Sequence, residues 1–234
     1  MRKAFRSAVL ALAAPGLLGL ALVATVPNMV CAQDDGAPLA RTHDEAVKVP
    51  AGKFIQDLGD RAIGAIADKS ITVEQRSDKF RQILSDSFDL KTIGRFVIGR
   101  TWNTATPEQQ KEYMHLFEEL VIKSYGDRLT LYTGEGFVVT GARAESERDF
   151  YVNSQITHPD GSQPTAIDWR VRQRDGKLGV IDVVVEGVSL SVTQQQEYAA
   201  VIQRSGGQID GLLDQMRQQV VTPSPAPVPP GQQH

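Results

Sequence analysis

Apolar residues recur at three- and four-residue steps through Phe54, Ile55, Leu58, Ala62, Ile63 and Ile66, the spacing of one face of an α-helix. A second helix is expected from Thr72, where Thr72 and Gln75 match a capping box and Phe80, Ile83, Leu84 and Phe88 turn inward. Asp89 to Gly99 reads as a shorter helix carrying Leu90, Ile93, Phe96 and Val97, with Gly94 and Gly99 limiting its length and Trp102 in the turn beyond. The clearest helix start is Thr106-Pro107-Glu108-Gln109. Thr caps, Pro takes the first helical position, Gln109 completes the box, and Glu108 suits the positive helix end. A long helix to about Leu131 follows, with Tyr113, Leu116, Phe117, Leu120 and Val121 on its apolar face.

The period then changes from helical to alternating. Phe137-Val138-Val139 reads as a first strand; Phe150, Val152, Ser154 and Ile156 share one face of a second, and Ile167, Trp169 and Val171 alternate against Asp168, Arg170 and Arg172 in a third. Asp175-Gly176 turns the chain into a fourth strand running from Leu178 to Val188. Its Val180 to Val185 segment is apolar on both faces, so it is expected at the centre of the sheet, covered on both sides. Helical patterns return over Leu190 to Arg204 and Gln208 to Val220, separated by Gly206-Gly207. Helices, then about four antiparallel strands, then helices describe an α+β domain whose sheet is backed by helices.

The ends bound this domain and place it in the cell. Arg2, Lys3 and Arg6 precede an uncharged stretch, and Leu17 to Ala24 is short for a membrane span and follows the helix-interrupting pair Pro15-Gly16. That is the layout of a secretory signal over 1–32. Small residues in Val30-Cys31-Ala32 fit cleavage before Gln33, whereas Asn28-Met29-Val30 is a poor lipoprotein site ahead of Cys31. The polar segment 33–50 lacks a sustained period and reads as a mobile leader; the fold is expected over 51–221; the Pro-rich stretch 222–234 reads as an extended, disordered tail. Losing Arg2, Lys3 and Arg6 leaves 22 basic against 28 acidic residues, a formal charge of −6, which disfavours nucleic acid as a partner. With Cys31 removed, neither a disulfide nor a thiol nucleophile remains, so an ordinary apolar core must hold the fold.

Candidate chemistry is sparse. His43, His115, His158 and His234 are scattered without ligand spacing, so no metal or other cofactor is expected. Ser189 lacks the second glycine of a nucleophile elbow, and the chain has no phosphate loop ending in Lys-Ser or Lys-Thr. Asp182, among the apolar residues Val180, Ile181, Val183 and Val184, is the best acid for an enzyme, because desolvation raises a carboxyl toward general-acid range. A carboxylate hydrogen-bonded to backbone or paired with arginine is the stronger reading of it. Arg170, Arg172 and Arg174 share one strand face. They fit a solvated outer surface better than a site for lipid phosphate or an acidic partner.

Trp102, Ala105-Thr-Pro-Glu-Gln-Gln, Phe117, Tyr125, Leu129, Tyr132-Thr-Gly-Glu, Ile181-Asp-Val-Val-Val-Glu-Gly-Val-Ser-Leu, Tyr198, Gly206-Gly207 and Leu212-Leu213 together resemble the MlaC family of periplasmic phospholipid-binding proteins, also called the toluene-tolerance auxiliary family. The likeness runs from about Phe54 to Gln218. It departs from the family where Lys177-Leu-Gly-Val replaces the usual Trp-Lys before the Asp-Val strand, and Val201-Ile-Gln-Arg-Ser-Gly-Gly looks like a hopanoid-associated branch. The resemblance implies a nuclear-transport-factor-like fold with a twisted sheet and helices enclosing an apolar cavity. It also implies a non-enzymatic periplasmic carrier that shuttles phospholipid between an inner-membrane ABC transporter complex and an outer-membrane lipoprotein complex, maintaining outer-membrane lipid asymmetry. A polycyclic hopanoid as ligand, and a small-molecule enzyme on the same fold using Asp182, are the alternatives. On the carrier reading the expected lining is Phe96, Leu116, Phe117, Leu120, Val121, Phe150, Val152, Ile167, Trp169, Val183 and Val185, with a movable wall made of helices rather than sheet.

Overall fold

The computed structural model describes residues 42–68, 70–126 and 134–222. The expected signal segment, most of the leader, the segment around Leu129 and Tyr132, and the Pro-rich stretch after Thr222 lie outside the described residues. Helices α1 (His43–Ala46), α2 (Pro50–Ala67), α3 (Val73–Ser87), α4 (Leu90–Ile98) and α5 (Pro107–Gly126) come first, with a 3-10 turn (Gly99–Asn103) carrying Trp102 between the last two. Strands β1 (Gly136–Ala144), β2 (Asp149–Thr157), β3 (Thr165–Arg174), β4 (Lys177–Val185) and β5 (Val188–Ser189) follow, then α6 (Leu190–Arg204) and α7 (Asp210–Val221). All strand pairs are antiparallel and the order in space equals the order in sequence. The architecture is the expected α+β sheet backed by helices.

The caps explain the helix starts. Thr72 and Gln75 exchange side-chain and backbone hydrogen bonds at 2.9 and 3.2 Å, and Thr106 and Gln109 do the same at the head of α5. Asp89 caps α4 by accepting from the Thr92 amide at 2.9 Å. Gly99, at φ 60, ends α4 where a side chain would be strained. Gly94 does not limit that helix. It lies within α4, and a Cβ there would come within 2.9 Å of the Met114 sulfur, so its role is to let α5 approach.

Two corrections concern the ends of the sheet. Among the described residues, the segment 42–46, expected to be part of a mobile leader, packs on the fold ahead of Ala51: Thr42 caps α1, Ala46 is fully buried, and the His43 ring is hydrogen-bonded to the Val139 carbonyl at 3.0 Å. A helix of one turn is too short to show a period, so the sequence pattern missed it. The close fit gives a sharp expectation, because a Cβ on Gly52 would lie 2.0 Å from the Ala46 carbonyl oxygen, which is backbone and has no rotamer to yield. Gly52→Ala should therefore cost about 2–3 kcal/mol, read as a lowered urea midpoint at unchanged slope.

The second correction is that β4 is not central but next to last, with only the two-residue β5 beyond it. It is nevertheless closed on its outer side, because β5 pairs with Val184 and Val185 while the Asp89 amide donates to the Val180 carbonyl at 2.9 Å. On the other edge, the Val139 amide donates to Gln56 and its carbonyl meets His43, so β1 is also partly covered by side chains. An extra residue in β4, Ile181, shifts the register opposite Arg170 and Val171 and breaks the simple alternation of that strand.

The buried residues fall into two clusters. One lies between α1, α2, α3 and the inner sheet face and contains Ile55, Leu58, Ile83, Val139, Val152, Val171 and Val180. The other is helical and contains Val97, Tyr113, Leu116, Phe117, Tyr198, Leu212, Leu213 and Met216. Tyr113 centres it, donating its hydroxyl to the Gly94 carbonyl at 2.9 Å and stacking on Phe117 with ring centroids 5.8 Å apart; burial pushes its phenol above the usual range.

Candidate functional site

Register places Phe137, Val139, Ala142, Phe150, Val152, Ser154, Ile156, Ile167, Trp169, Val171, Val180, Val183 and Val185 on one sheet face, beneath α1 to α3. Within that face burial is uneven. Val139, Ala142, Val152, Val171 and Val180 are sealed, whereas Phe137, Ile156, Ile167, Trp169, Val183 and Val185 are only half-buried. Burial falls from β1 and β2 toward β3 and β4: at the registers where Val139, Ala142, Val152 and Ser154 are sealed, Ile167, Trp169, Val183 and Val185 are half-buried, as is Phe150 beside sealed Val171. Between β3 and β4, Trp169 pairs with Val183 and Ile167 with Val185, and Trp169 meets Phe137 edge to face at 6.2 Å.

Ser154 explains how a polar residue sits on this face. The residue is 2% exposed, and its hydroxyl accepts from the Trp169 indole N–H at 2.8 Å and donates to the Ile167 carbonyl at 2.9 Å. Both polar groups are satisfied, and the indole is held in a single orientation with its hydrocarbon body free for an apolar neighbour. Phe137 and Ile156 are half-buried partners on the same face and are not among the expected lining; a bulge between Val139 and Gly141 breaks the alternation of β1 just beyond Phe137.

The other expected lining residues lie elsewhere. Leu116 and Phe117 are buried in the helical cluster, and Leu120 and Val121 pack half-buried against it. Helix α5 meets α7, α3 and α4. Phe96 points outward on α4 at 45% exposure. The eleven residues therefore form a sheet group, an α5 group and one outlying phenylalanine. Helix α3 links the two layers, touching both α2 and α5, and its Arg81 is paired with Glu119 of α5 at 2.8 Å.

Asp182 is a structural carboxylate. Its Oδ1 accepts from the Val183 amide at 2.9 Å, the Ser191 amide at 3.2 Å and the Ser191 hydroxyl at 2.7 Å, and its Oδ2 accepts from the Ser189 hydroxyl at 2.8 Å. Glu186 and Gly187, both at positive φ, make the tight turn that returns the chain so that Ser189 and Ser191 reach it. Ser189 in turn caps α6 through the Val192 amide at 3.1 Å. The Asp-Val-Val-Val-Glu-Gly-Val-Ser run is thus a latch from sheet to helix, with the acid's lone pairs occupied by neighbouring donors.

The arginine stripe is engaged on the outer sheet face. Arg172 holds Asp149 in a two-pronged pair at 2.6 and 3.0 Å, keeping that carboxyl below the usual range; Arg174 meets Asp89 at 3.5 Å; Arg170 lies 5.7 Å from the Tyr151 ring centre. Among the described residues no group of His, Cys, Asp and Glu is arranged to hold a metal ion, and no helix is long and apolar enough to cross a membrane.

Comparison with known proteins places this geometry. The MlaC protein family model matches residues 56–218. The toluene tolerance protein ttg2D of Pseudomonas putida is 24% identical over 138 residues, spanning 58% of this chain and 64% of that protein. The intermembrane phospholipid transport system binding protein MlaC of Haemophilus influenzae is 22% identical over 177 residues, spanning 73% of this chain and 82% of its own length. A phospholipid-binding protein from Ralstonia solanacearum, solved in complex with a phospholipid, superposes with a TM-score of 0.65 at 25% identity, covering 72% of this chain and 95% of that one. With the family model matching well over half of its length, this chain belongs to the MlaC family.

Proposed function

We infer that this protein is a periplasmic carrier of membrane lipid, which takes up the acyl chains of a phospholipid and passes the lipid between an inner-membrane ABC transporter complex and an outer-membrane lipoprotein complex. The observation that carries this reading is the likeness to a phospholipid-binding protein solved with its lipid bound, which covers 72% of this chain and 95% of that one. The uneven inner face supports it, since half-buried Ile167, Trp169, Val183 and Val185 leave apolar surface partly exposed on the face that carries the helices. Each acyl methylene removed from water there contributes about 0.8 kcal/mol, so two chains hold a lipid without any catalytic group. The segment over 1–32, read as a secretory signal, supports export.

In this reading Phe150, Ile167, Trp169, Val183 and Val185 form the sheet wall, and Leu120 and Val121 the opposing helical wall. Val152, Leu116 and Phe117 back these walls from the sealed core, and Phe96 stands at the exposed rim. Replacing both Ile167 and Val185 by Asp places two carboxylates against the acyl chains, each costing about 3 kcal/mol to desolvate. Loading of a fluorescent phospholipid should fall by more than about 100-fold while the empty protein stays folded. Undiminished loading would remove the sheet wall from the site.

A further inference from the structure

Large apolar side chains left in solvent gather in one sector of the helical layer. Among the described residues they are Phe96 of α4 at 45% exposure, Val188 of β5 at 51%, Val192 of α6 at 39%, and Val221 at the end of α7. The first three belong to α4 and to the entry from β5 into α6, which lie side by side. The Asp89 amide at the head of α4 donates to the Val180 carbonyl, and the Ser191 amide at the head of α6 donates to Asp182, so both helices rise from β4. They are still adjacent one turn further on, where Gln195 of α6 donates to the Phe96 carbonyl at 2.6 Å. Val192 is one turn before Gln195 on the same side of α6.

The free charge around these residues is of one sign. Lys91, Arg95 and Arg100 are exposed on and just beyond α4 and make no ion pair among the described residues. Arg95 instead lies over the Trp102 ring, 4.8 Å from its centre. The nearby acids are engaged. Asp89 caps α4 and meets Arg174, Asp182 is enclosed by its donors, and Glu186 turns back to accept from the Ala166 amide at 2.6 Å. Residues 190–196 of α6 carry no charge, and Glu197, at about 100° per residue, projects roughly 160° round the helix from Gln195 and so away from α4. A chain of formal charge −6 without its signal segment thus places three unpaired cations beside its exposed apolar side chains.

We propose that this α4–α6 face docks on an anionic bilayer surface, with Phe96 and Val192 entering the head-group layer and Lys91, Arg95 and Arg100 meeting lipid phosphates. Scattered apolar side chains beside cations suit a mobile head-group layer that adapts to them, whereas a protein partner needs a fitted surface. Each cation near such a surface strengthens binding by about fivefold, and the attraction fades within about 8 Å at physiological salt. The contact is therefore weak and reversible. It rests on this face alone and not on the lipid-carrier reading, to which it adds a place where carrier and membrane meet.

The test is co-sedimentation of the full mature chain, as purified from the periplasm, with vesicles of phosphatidylcholine alone or with about one third phosphatidylglycerol. At low salt the unaltered protein should bind the anionic vesicles at least about tenfold more strongly than the neutral ones, and high salt should remove most of that excess. Lys91→Glu combined with Arg95→Glu should weaken binding by at least about tenfold, and Val192→Asp by about fivefold. Val192 is the third residue of α6, where an acid favours the helix, and matching thermal melts confirm that the variants are folded. Arg204→Gln, at the far end of α6, should leave binding unchanged. Equal binding to both vesicles, binding that survives the Lys91, Arg95 and Val192 changes, or an equal loss with Arg204→Gln would overturn the proposal. So would absence of vesicle binding when the same variants block delivery to a partner complex, which would assign the face to that complex. The lipid content of the protein, measured separately, decides the carrier reading whichever of these results is found.

Discussion

Asp182→Ala should destabilise the fold by about 3–5 kcal/mol, a large part of the 5–15 kcal/mol typical of a domain. The acid is 6% exposed and accepts four hydrogen bonds, so its removal strands the Ser191 amide and the Ser189 and Ser191 hydroxyls around an empty site. Two structural consequences follow together, since the turn at Glu186-Gly187 loses its anchor and the first turn of α6 loses the partner that orients its capping serine. Ser189→Ala alone should cost about 1 kcal/mol as a lost cap, and the double variant should cost less than the sum because both changes act on one network. Urea unfolding of the four proteins measures this cycle. A catalytic role for Asp182 makes the opposite prediction, an Asp182→Ala protein of normal stability that has lost an activity.

A cross-link between α3 and α5 should slow lipid delivery by at least about tenfold while leaving the loaded protein intact. The reason lies in the two buried clusters. The helical cluster of α4 to α7 and the sheet cluster under α1 to α3 are packed separately, and the Arg81–Glu119 pair spans the seam where α3 meets α5. Two dense cores move more readily past one another than either deforms internally, so movement at this seam is the expected route of lipid release. Cysteines at positions 81 and 119 can be joined by a short bis-maleimide, because Cys31 is the sole native cysteine and falls in the segment read as a cleaved signal. Delivery to acceptor vesicles carrying a partner complex, compared with and without the linker, is the readout. A rate unaffected by the linker would place the moving wall elsewhere.

The capping boxes at Thr72 and Thr106 and the alternation of Phe150 to Ile156 were legible because each is written in a few adjacent residues whose chemistry has one good local solution. Helix α1 was not, since a single turn held by Ala46 packing and a histidine bonded to β1 depends on contacts nearly a hundred residues away. The position of β4 was misjudged for a related reason. Its apolar character reflects a bulge at Ile181 and cover from α3, α4, β5 and α6, and a pattern along one strand does not show which elements close its edge. Among the candidate lining residues, alternation correctly grouped Ile167 with Trp169 and Val171, but periodicity cannot separate sealed Val152 from accessible Val183, because both are apolar and face inward. That distinction comes from how far the helical layer reaches across the sheet.

The central claim, that this chain carries membrane lipid, is tested most directly by the content of the protein as cells make it. Mature protein purified from the periplasm without detergent, extracted with organic solvent and analysed by mass spectrometry, should yield diacyl phospholipid in a near-stoichiometric amount. The Ile167→Asp, Val185→Asp double variant purified in parallel should yield little. Protein that is folded and free of lipid, or that carries the same lipid in both forms, would contradict the account.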